Sequence, residues 1–312
     1  MTLKNSSIKV TEFIISGFDV IKMPMAVGVV ILIIYVVAVL ANIMNIMLIT
    51  YDKKLHKPMY LLICNLAVVD ILYTSSASPT MIGVLVAGVK TISYVPCLIQ
   101  MFAFNLGIVM EMFSLAVMAF DRLLAVSCPF HYHSYLTNAR TLVLTFILWI
   151  AACGFVAFCP ATVIPLPHCY SMMMYTFCDY SAVIRTTCVD PNYYFNMIAT
   201  ITFFLLFITF IYICLSYVGI IFFVKLTSNN DKLKMGSTCL NHLIVVTCYY
   251  CPIFITAILT RLGLVLTLEA RNGLLIGTIL GTSLVNPFVY CLRTKEIKCK
   301  IIKVFEKKLT SQ

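Results

Sequence analysis

The stretch that decides the fold reads Met118-Ala-Phe-Asp-Arg-Leu-Leu-Ala-Val-Ser-Cys-Pro129. It follows an uncharged run, residues 91–110, and a single acid, Glu111. The adjacent Asp121 and Arg122 cost little free energy at a membrane interface, where an arginine reaches the head groups, and far more at the bilayer centre. The pair therefore marks the end of a membrane-spanning helix. It either anchors that end or forms a lock that a signal opens.

The composition of the whole chain agrees with a membrane location. Only 11% of the 312 residues are charged, whereas about 25% is usual in soluble domains. Apolar runs of roughly 20 residues, enough for a spanning helix, occur seven times if Asp70 is allowed inside the second. We predict an all-α membrane protein, a single seven-helix domain over residues 1–312. Its helices lie within residues 23–292, between an outer tail at 1–22 and a cytoplasmic tail at 293–312.

The distribution of Lys and Arg predicts the orientation. Fifteen of the 22 lie in or next to the loops that follow the first, third and fifth spans, or in the carboxy-terminal tail. Cytoplasmic loops carry such an excess. We therefore expect an extracellular amino end, without a cleaved signal peptide, and a glycosylation site at Asn5 in the sequon Asn5-Ser6-Ser7. Residues 293–298 should form a short amphipathic helix on the membrane surface. The spread of basic residues over separate loops favours membrane lipid as a partner and not nucleic acid.

Two acids are predicted to lie buried at similar depth. Asp70 is about 12 residues into the second span, near mid-membrane. Glu111 belongs to a helical stripe that must face the bundle, because its charged members cannot face lipid. Two such carboxyl groups either share a proton or hold a cation, and sodium suits oxygen ligands without His or Cys. The stripe comprises Met101, Phe104, Ile108, Glu111, Leu115, Met118 and Arg122, and the expected neutral neighbours of the acids are Asn42, Ser283 and Asn286.

The loop before the fifth span, residues 168–190, carries three cysteines, and Cys97 is a fourth on the same oxidising side. Four cysteines allow three pairings, and the sequence does not choose among them. A soft-metal site is a weaker alternative in this loop. Its ligands would be His168, Met172, Met173 and Met174.

Further positions are typical of helices that move. Pro252 follows Tyr249-Tyr250-Cys251 in mid-span and permits a kink. A second bend is expected in the seventh span at Asn286-Pro-Phe-Val-Tyr290. His242 is either a satisfied core histidine or part of the switch.

The Asp-Arg and Asn-Pro-x-x-Tyr motifs resemble those of rhodopsin-like (class A) G-protein-coupled receptors. Within that class, the chain is similar to odorant receptors from the amino tail to the last helix. The similarity rests on Pro58-Met-Tyr, Glu111, Met118–Pro129, Ser237-Thr-Cys-x-x-His242 and Asn286-Pro-Phe-Val-Tyr-Cys-Leu-Arg293. Departures at Ala67, Phe120, Leu123, Met235-Gly236, Tyr249 and Cys251 indicate a divergent branch.

The resemblance implies a receptor, with no catalysis, for a small uncharged odorant at the plasma membrane. It implies a stimulatory, olfactory-type heterotrimeric G protein that raises cyclic AMP, and disulfides that join Cys97 to Cys178 and Cys169 to Cys188. The expected switch is Asp121, Arg122, Tyr217, His242, Asn286, Pro287 and Tyr290. The expected ligand-binding residues are Met101, Phe104, Asn105, Ile108, Ile198, Thr202, Leu205, Tyr250, Ile253 and Phe254.

Other functions are less well supported. Phe104 stands where amine receptors have an Asp. Transporters are expected to show repeated halves, and none is readable here. An enzyme would need more than Asp70, Glu111 and His242. A non-olfactory chemosensory or hormone receptor of the same class remains the alternative.

Overall fold

A computed structural model of the chain describes residues 8–226, 229–261 and 267–293. Seven helical segments in these residues are long and apolar enough to cross a membrane, as predicted, and the protein is a multi-pass membrane protein. The spans are α1, α2, α3, α5 with α6, α8, α9 and α10. The helices are α1 Pro24–Tyr51, α2 Pro58–Ala87, α3 Tyr94–Ser127, α4 Tyr132–Tyr135, α5 Asn138–Val156, α6 Phe158–Val163, α7 Tyr180–Ile184, α8 Pro191–Leu226, α9 Asn229–Arg261 and α10 Leu268–Arg293.

Helix α3 is the central element of the bundle. Its most apolar stretch is 61% buried, against 17% for the corresponding stretches of the fourth and fifth spans. The outer helices therefore expose apolar side chains that only lipid can cover. Helix α3 packs against α2, α5, α8 and α9. At Gly107 it comes so close to α2 that an added Cβ would lie 2.8 Å from the Cβ of Tyr73.

The amino-terminal segment is not a free tail. Strand β1, Glu12–Ile15, is the middle strand of a small sheet. It pairs antiparallel with β2, Thr91–Ser93, and parallel with β3, Met172–Met173. Phe13 is fully buried beneath this sheet. We call this end of the bundle the N-terminal face and the end that carries Arg122 the opposite face.

Two disulfides hold the long loop of the N-terminal face, and both are the pairs that the resemblance implied. They join Cys97 to Cys178 and Cys169 to Cys188. Eight of the ten other cysteines are described as free thiols. Asn5, the glycosylation candidate, and residues 294–312, which include most of the expected amphipathic helix, lie outside the described residues.

Candidate functional site

A cavity of about 320 Å³ lies between the third, fourth and fifth spans. This volume falls within the usual range for small-molecule sites. Apolar side chains form most of its wall, and Asn105 and Thr202 contribute polar groups. The lining residues are Asn105, Ile108, Val109, Met112, Gly154, Phe155, Val156, Phe158, Cys159, Ile198, Ile201, Thr202 and Leu205.

Half of the ten residues expected to bind the ligand line this cavity. These five are Asn105, Ile108, Ile198, Thr202 and Leu205. Met101 and Phe104 instead belong to the buried cluster beneath the N-terminal face. The ring of Phe104 stacks on Tyr73, with centroids 5.3 Å apart, and meets the edge of Phe177 at 4.7 Å.

The three residues expected from the sixth span lie outside the lining. The hydroxyl of Tyr250 donates to Thr209 Oγ1 at 2.8 Å. The ring of Phe254 packs against Phe210, with centroids 5.0 Å apart. Ile253 packs against the hydrophobic cluster that contains Tyr250. These contacts join α9 to α8 beside the cavity, and a direct role of the three in ligand binding stays a prediction.

Sequence reasoning missed the contribution of the fourth span. Five lining residues, from Gly154 to Cys159, come from α5 and α6. This span carries no charge within its apolar stretch, so no buried charge indicates which of its faces is inward. The one local signal is Pro160, which lies where α5 gives way to the short helix α6.

The loop that carries Cys178 is bonded to α3, which lines the cavity. The backbone N–H of Cys178 donates to Gln100 Oε1 at 2.9 Å, and Gln100 Nε2 donates to Ser76 O at 2.6 Å. Asp179 comes next, and the side chain of Asn105 lies close enough to affect its carboxyl group. Burial raises the pKa of Asp179 above its ordinary value, while neighbouring N–H groups and the side chains of Asn105 and Ser181 act in the opposite direction.

Asp70 and Glu111 are brought together in the centre of the bundle. Both carboxyl groups are fully buried. Asn286 Nδ2 lies 2.9 Å from Asp70 Oδ1 and 3.0 Å from Glu111 Oε1, and donates to both. Glu111 Oε2 and Asn286 Oδ1 have no hydrogen-bond partner among the described residues. Two acids thus share one amide donor, and oxygen atoms beside them are free to hold a proton or a cation.

The expected neutral neighbours complete this polar centre. Ser283 Oγ lies 3.4 Å from Asp70 O, and Asn42 Nδ2 donates to Ser283 O at 2.9 Å. The first, second, third and seventh spans therefore meet through polar groups at one depth. In the described part of the chain, no group of three or more His, Cys, Asp or Glu residues is placed so that it could hold a metal ion.

At the opposite face, Arg122 is held by its chain neighbour. Arg122 Nη2 donates to Asp121 Oδ2 at 2.5 Å. Tyr132, in the short helix α4, donates its hydroxyl to Asp121 Oδ1 at 2.5 Å. Asp121 is therefore fixed from two sides and is 1% exposed. Burial, together with the charge of Asp121, raises the pKa of Tyr132.

His242 connects three spans close to Arg122. Its Nε2 lies 3.1 Å from Leu115 O, a carbonyl that can only accept, so this nitrogen carries the proton. Its Nδ1 lies 2.9 Å from the hydroxyl of Tyr217, which also donates to Cys239 O at 2.9 Å, so two acceptors share the one phenolic proton. The rings of His242 and Tyr217 are also stacked, with centroids 5.9 Å apart. The third, fifth and sixth spans are tied at one point.

The last two switch residues are on the seventh span. Pro287 lies inside α10. The hydroxyl of Tyr290 faces Met118 Sδ at 3.9 Å, so it contacts α3 one turn before Arg122. Arg122 is thus paired with Asp121 and not with Tyr217 or Tyr290.

The packing of His168 is accounted for without a soft metal, but its Nε2 has no hydrogen-bond partner among the described residues, and the soft-metal alternative stays a prediction. His168 Nδ1 bonds to Thr186 Oγ1 at 2.9 Å, and Cys169 is oxidised. The ring of His168 packs edge-on against Phe13 and Tyr94. Burial lowers the pKa of His168 below its ordinary value of 6.5. This histidine packs the N-terminal face.

A seven-helix bundle with a cavity near one face and an Asp-Arg pair at the far end of the same central helix is the architecture of a rhodopsin-like receptor. Comparison with known proteins narrows this class. The family profile described as "Olfactory receptor" matches residues 31–308.

Individual relatives agree with that match. The chain is 34% identical to olfactory receptor 13G1 of Homo sapiens, over 95% of this chain and 97% of that protein. It is 31% identical to olfactory receptor 2AT4 of Homo sapiens, over 88% of this chain and 85% of that protein. It is 32% identical to olfactory receptor 1500 of Rattus norvegicus, over 86% of each protein. The chain belongs to the olfactory receptor family, whose members are G-protein-coupled receptors and not enzymes.

Proposed function

We propose that this receptor binds a small, uncharged odorant in the cavity between the third, fourth and fifth spans. Binding activates a stimulatory, olfactory-type G protein and raises cyclic AMP. The observation that carries the proposal is the continuity of α3, which lines the cavity with Asn105, Ile108 and Met112 and ends at Arg122. The family membership supports the odorant as ligand class.

The mechanism that we infer is a shift between two packings of the bundle. A ligand favours one packing only if it binds that packing more tightly. Contacts on Ile108 and Met112 from α3 and on Leu205 from α8 would change how these helices pack. The change reaches His242, which bonds to α3 and α8 together, and then frees Arg122 from Asp121.

We further propose that Asp70 and Glu111 hold a sodium ion or share a proton in the resting state. The free Glu111 Oε2 and Asn286 Oδ1 support this, because buried oxygens without partners are costly. The ion or proton would stabilise the packing in which the second, third and seventh spans are drawn together.

The orientation belongs to the same proposal. With the N-terminal face outside the cell, the basic loops and Arg122 meet the cytoplasm at the plasma membrane. The distribution of Lys and Arg supports it. Two disulfides on the N-terminal face also suit the oxidising side.

The test is a cyclic-AMP assay of cells that express the receptor, against a broad panel of odorants. We expect a dose-dependent rise with a subset of odorants, which disappears in Ile108→Trp because the larger side chain fills the cavity. Empty-vector cells are the control for endogenous receptors. A receptor at the cell surface that raises no cyclic AMP with any odorant would contradict the proposal.

A further inference from the structure

The orientation of one amide on the cavity wall limits which ligands the receptor can recognise. This inference rests on the proposed odorant cavity and concerns the chemical class of its ligand. Asn105 Nδ2 donates to Met101 O at 2.8 Å, one turn back along α3. A backbone carbonyl cannot donate, so the nitrogen of the amide, and not its oxygen, must face Met101.

The N–H side of this amide is also the side that an acid favours. The Asn105 side chain stabilises the ionised form of Asp179, in the loop that carries Cys178, and so acts to lower its pKa. A carboxylate attracts N–H groups and repels a carbonyl oxygen, so this interaction favours the same orientation of the amide. The amide nitrogen is then engaged with Met101 O and Asp179, and the carbonyl oxygen, Oδ1, is the atom of this amide left for a ligand.

Asp179 cannot easily withdraw from this contact. It follows Cys178, which is bonded to Cys97 of α3. The N–H of Cys178 also donates to Gln100 Oε1, while Gln100 Nε2 donates to Ser76 O and to Thr80 Oγ1 at 2.7 Å. The loop is therefore tied to α3 and α2 within one residue of Asp179, which acts as a positioning residue for Asn105.

The remaining wall offers little to compete with this acceptor. Thr202 has a hydroxyl that can donate or accept, and Cys159 has a weakly polar thiol. The other lining residues are apolar or glycine. The polar end of the cavity on α3 is thus an acceptor, and a ligand that brings only a carbonyl or ether oxygen would leave Asn105 Oδ1 unpaired.

We propose that the receptor selects odorants with a hydrogen-bond donor, in practice alcohols and phenols, over the ketone, aldehyde or ether of the same carbon skeleton, and that Asn105 Oδ1 makes the distinction. One neutral hydrogen bond typically changes affinity by about three- to tenfold. We expect a difference of that size between the half-maximal concentrations of the matched compounds.

The experiment uses matched sets of alcohol, aldehyde or ketone, methyl ether and primary amine on several aliphatic and aromatic skeletons. The readout is the ratio of half-maximal concentrations within one skeleton, measured as cyclic AMP in the same cells. This ratio does not depend on the amount of receptor at the surface. Wild-type receptor should favour the alcohol, whereas equal or better responses to the ether and carbonyl compounds would overturn the inference.

Three variants assign the effect. Asn105→Leu has the same branching and the same number of side-chain heavy atoms, and should bring the alcohol-to-ether ratio close to one while the ether still activates. Asn105→Ala is the second variant if the first does not reach the surface. Asp179→Asn removes the carboxylate that favours this orientation and leaves the bond to Met101 O as the remaining restraint, so the preference for the alcohol over the carbonyl compounds should become smaller.

The matched control is Thr202→Val, which removes the hydroxyl of the second polar residue on the wall without a change of shape. It should leave the preference in place. If Thr202→Val abolishes the preference and Asn105→Leu does not, the assignment to Asn105 is wrong. If the protonated amine is more potent than the alcohol, the charge of Asp179 and not Asn105 Oδ1 recognises the ligand, and this result would also overturn the inference. A receptor that responds to no compound on any skeleton contradicts the proposed function instead.

Discussion

Arg122 forms its ion pair with Asp121, the residue that precedes it in the chain. We nevertheless expect the release of Arg122 to affect the whole receptor. The Asp121 carboxylate also accepts from Tyr132, which leaves Arg122 as the group that can be released. On release, the guanidinium would meet Tyr217 and Tyr290 and open a space for the G protein. Arg122→Ala should therefore reach the surface and fail to raise cyclic AMP with any odorant.

The measurement pairs surface labelling with cyclic AMP at saturating odorant. Arg140→Ala is the control, because Arg140 lies near the same face, bonds to the backbone oxygens of Ser134 and Tyr135, and forms no ion pair with the residues that the structure describes. Normal odorant-stimulated cyclic AMP in Arg122→Ala would remove the assignment of this residue as the switch.

His242 is the second single residue with a predicted effect. His242→Phe keeps a ring against Tyr217 but loses the bonds to Leu115 O and to the Tyr217 hydroxyl. Each lost bond should shift the balance away from the resting packing by about two- to tenfold. We expect raised cyclic AMP without odorant.

The same substitution at His56, an exposed histidine of the loop after α1, should leave basal cyclic AMP unchanged. If His242→Phe only lowers surface expression and the receptors that remain are silent without odorant, His242 is a packing histidine and not part of the switch.

At the scale of elements, the N-terminal face depends on a bond between distant parts of the chain. Cys97 and Cys178 are 81 residues apart, and a closed loop of that length stabilises the fold by several kcal/mol. Cys97→Ser and Cys178→Ser should each be retained inside the cell. Surface labelling measures this, with Cys214→Ser, an exposed free thiol of α8, as control. Free Cys97 thiol in the non-reduced protein, found by mass spectrometry, would show that the pairing is wrong.

Gly17 tests whether the amino-terminal segment is a structural part of that face. An added Cβ at Gly17 would lie 2.3 Å from the carbonyl carbon of Tyr175. Relief of this clash requires a backbone movement, which costs more free energy than the movement of a flexible side chain. Asn272 Nδ2 also donates to Gly17 O at 2.8 Å. Gly17→Ala should lower the midpoint temperature of unfolding of the purified receptor.

The control for this variant is Gly83→Ala. An added Cβ at Gly83 meets no atom within 4 Å, and the residue lies in α2, where alanine is the better helix former. Equal midpoint temperatures for Gly17→Ala and wild type would mean that the segment docks only loosely.

At the scale of the whole molecule, the buried acid pair connects the spans that must move. Two carboxylates in a low dielectric cannot both stay ionised without a cation or a proton. If sodium is the bound cation, a higher sodium concentration should favour the resting packing and raise the half-maximal concentration of the odorant. Glu111→Gln should blunt this shift and still be expressed.

Glu12→Gln removes an exposed carboxylate from strand β1 and should leave the sodium effect intact. A shared proton would instead make basal activity depend on pH. Signalling that is indifferent to sodium and pH in wild type and in Glu111→Gln alike would leave Asp70 and Glu111 as structural polar groups.

Hydropathy and charge by themselves determined the seven spans and the depth of the two acids. These are properties of short stretches, because the cost of a charge in lipid depends on its distance from the end of its own helix. The motif around Asp121 and Arg122 is local in the same way, which is why one stretch could indicate the fold.

Tertiary structure alone decided which residues of the fourth span line the cavity and that the predicted residues of α9 do not. The faces of α5, α6 and α9 that turn inward depend on how helices far apart in the chain pack, and helical periodicity in an all-apolar span carries no signal for that rotation. The reach of Asp179 to Asn105 and the place of β1 between two loop strands have the same origin. Each requires segments tens of residues apart to meet, and only the packed bundle brings them together.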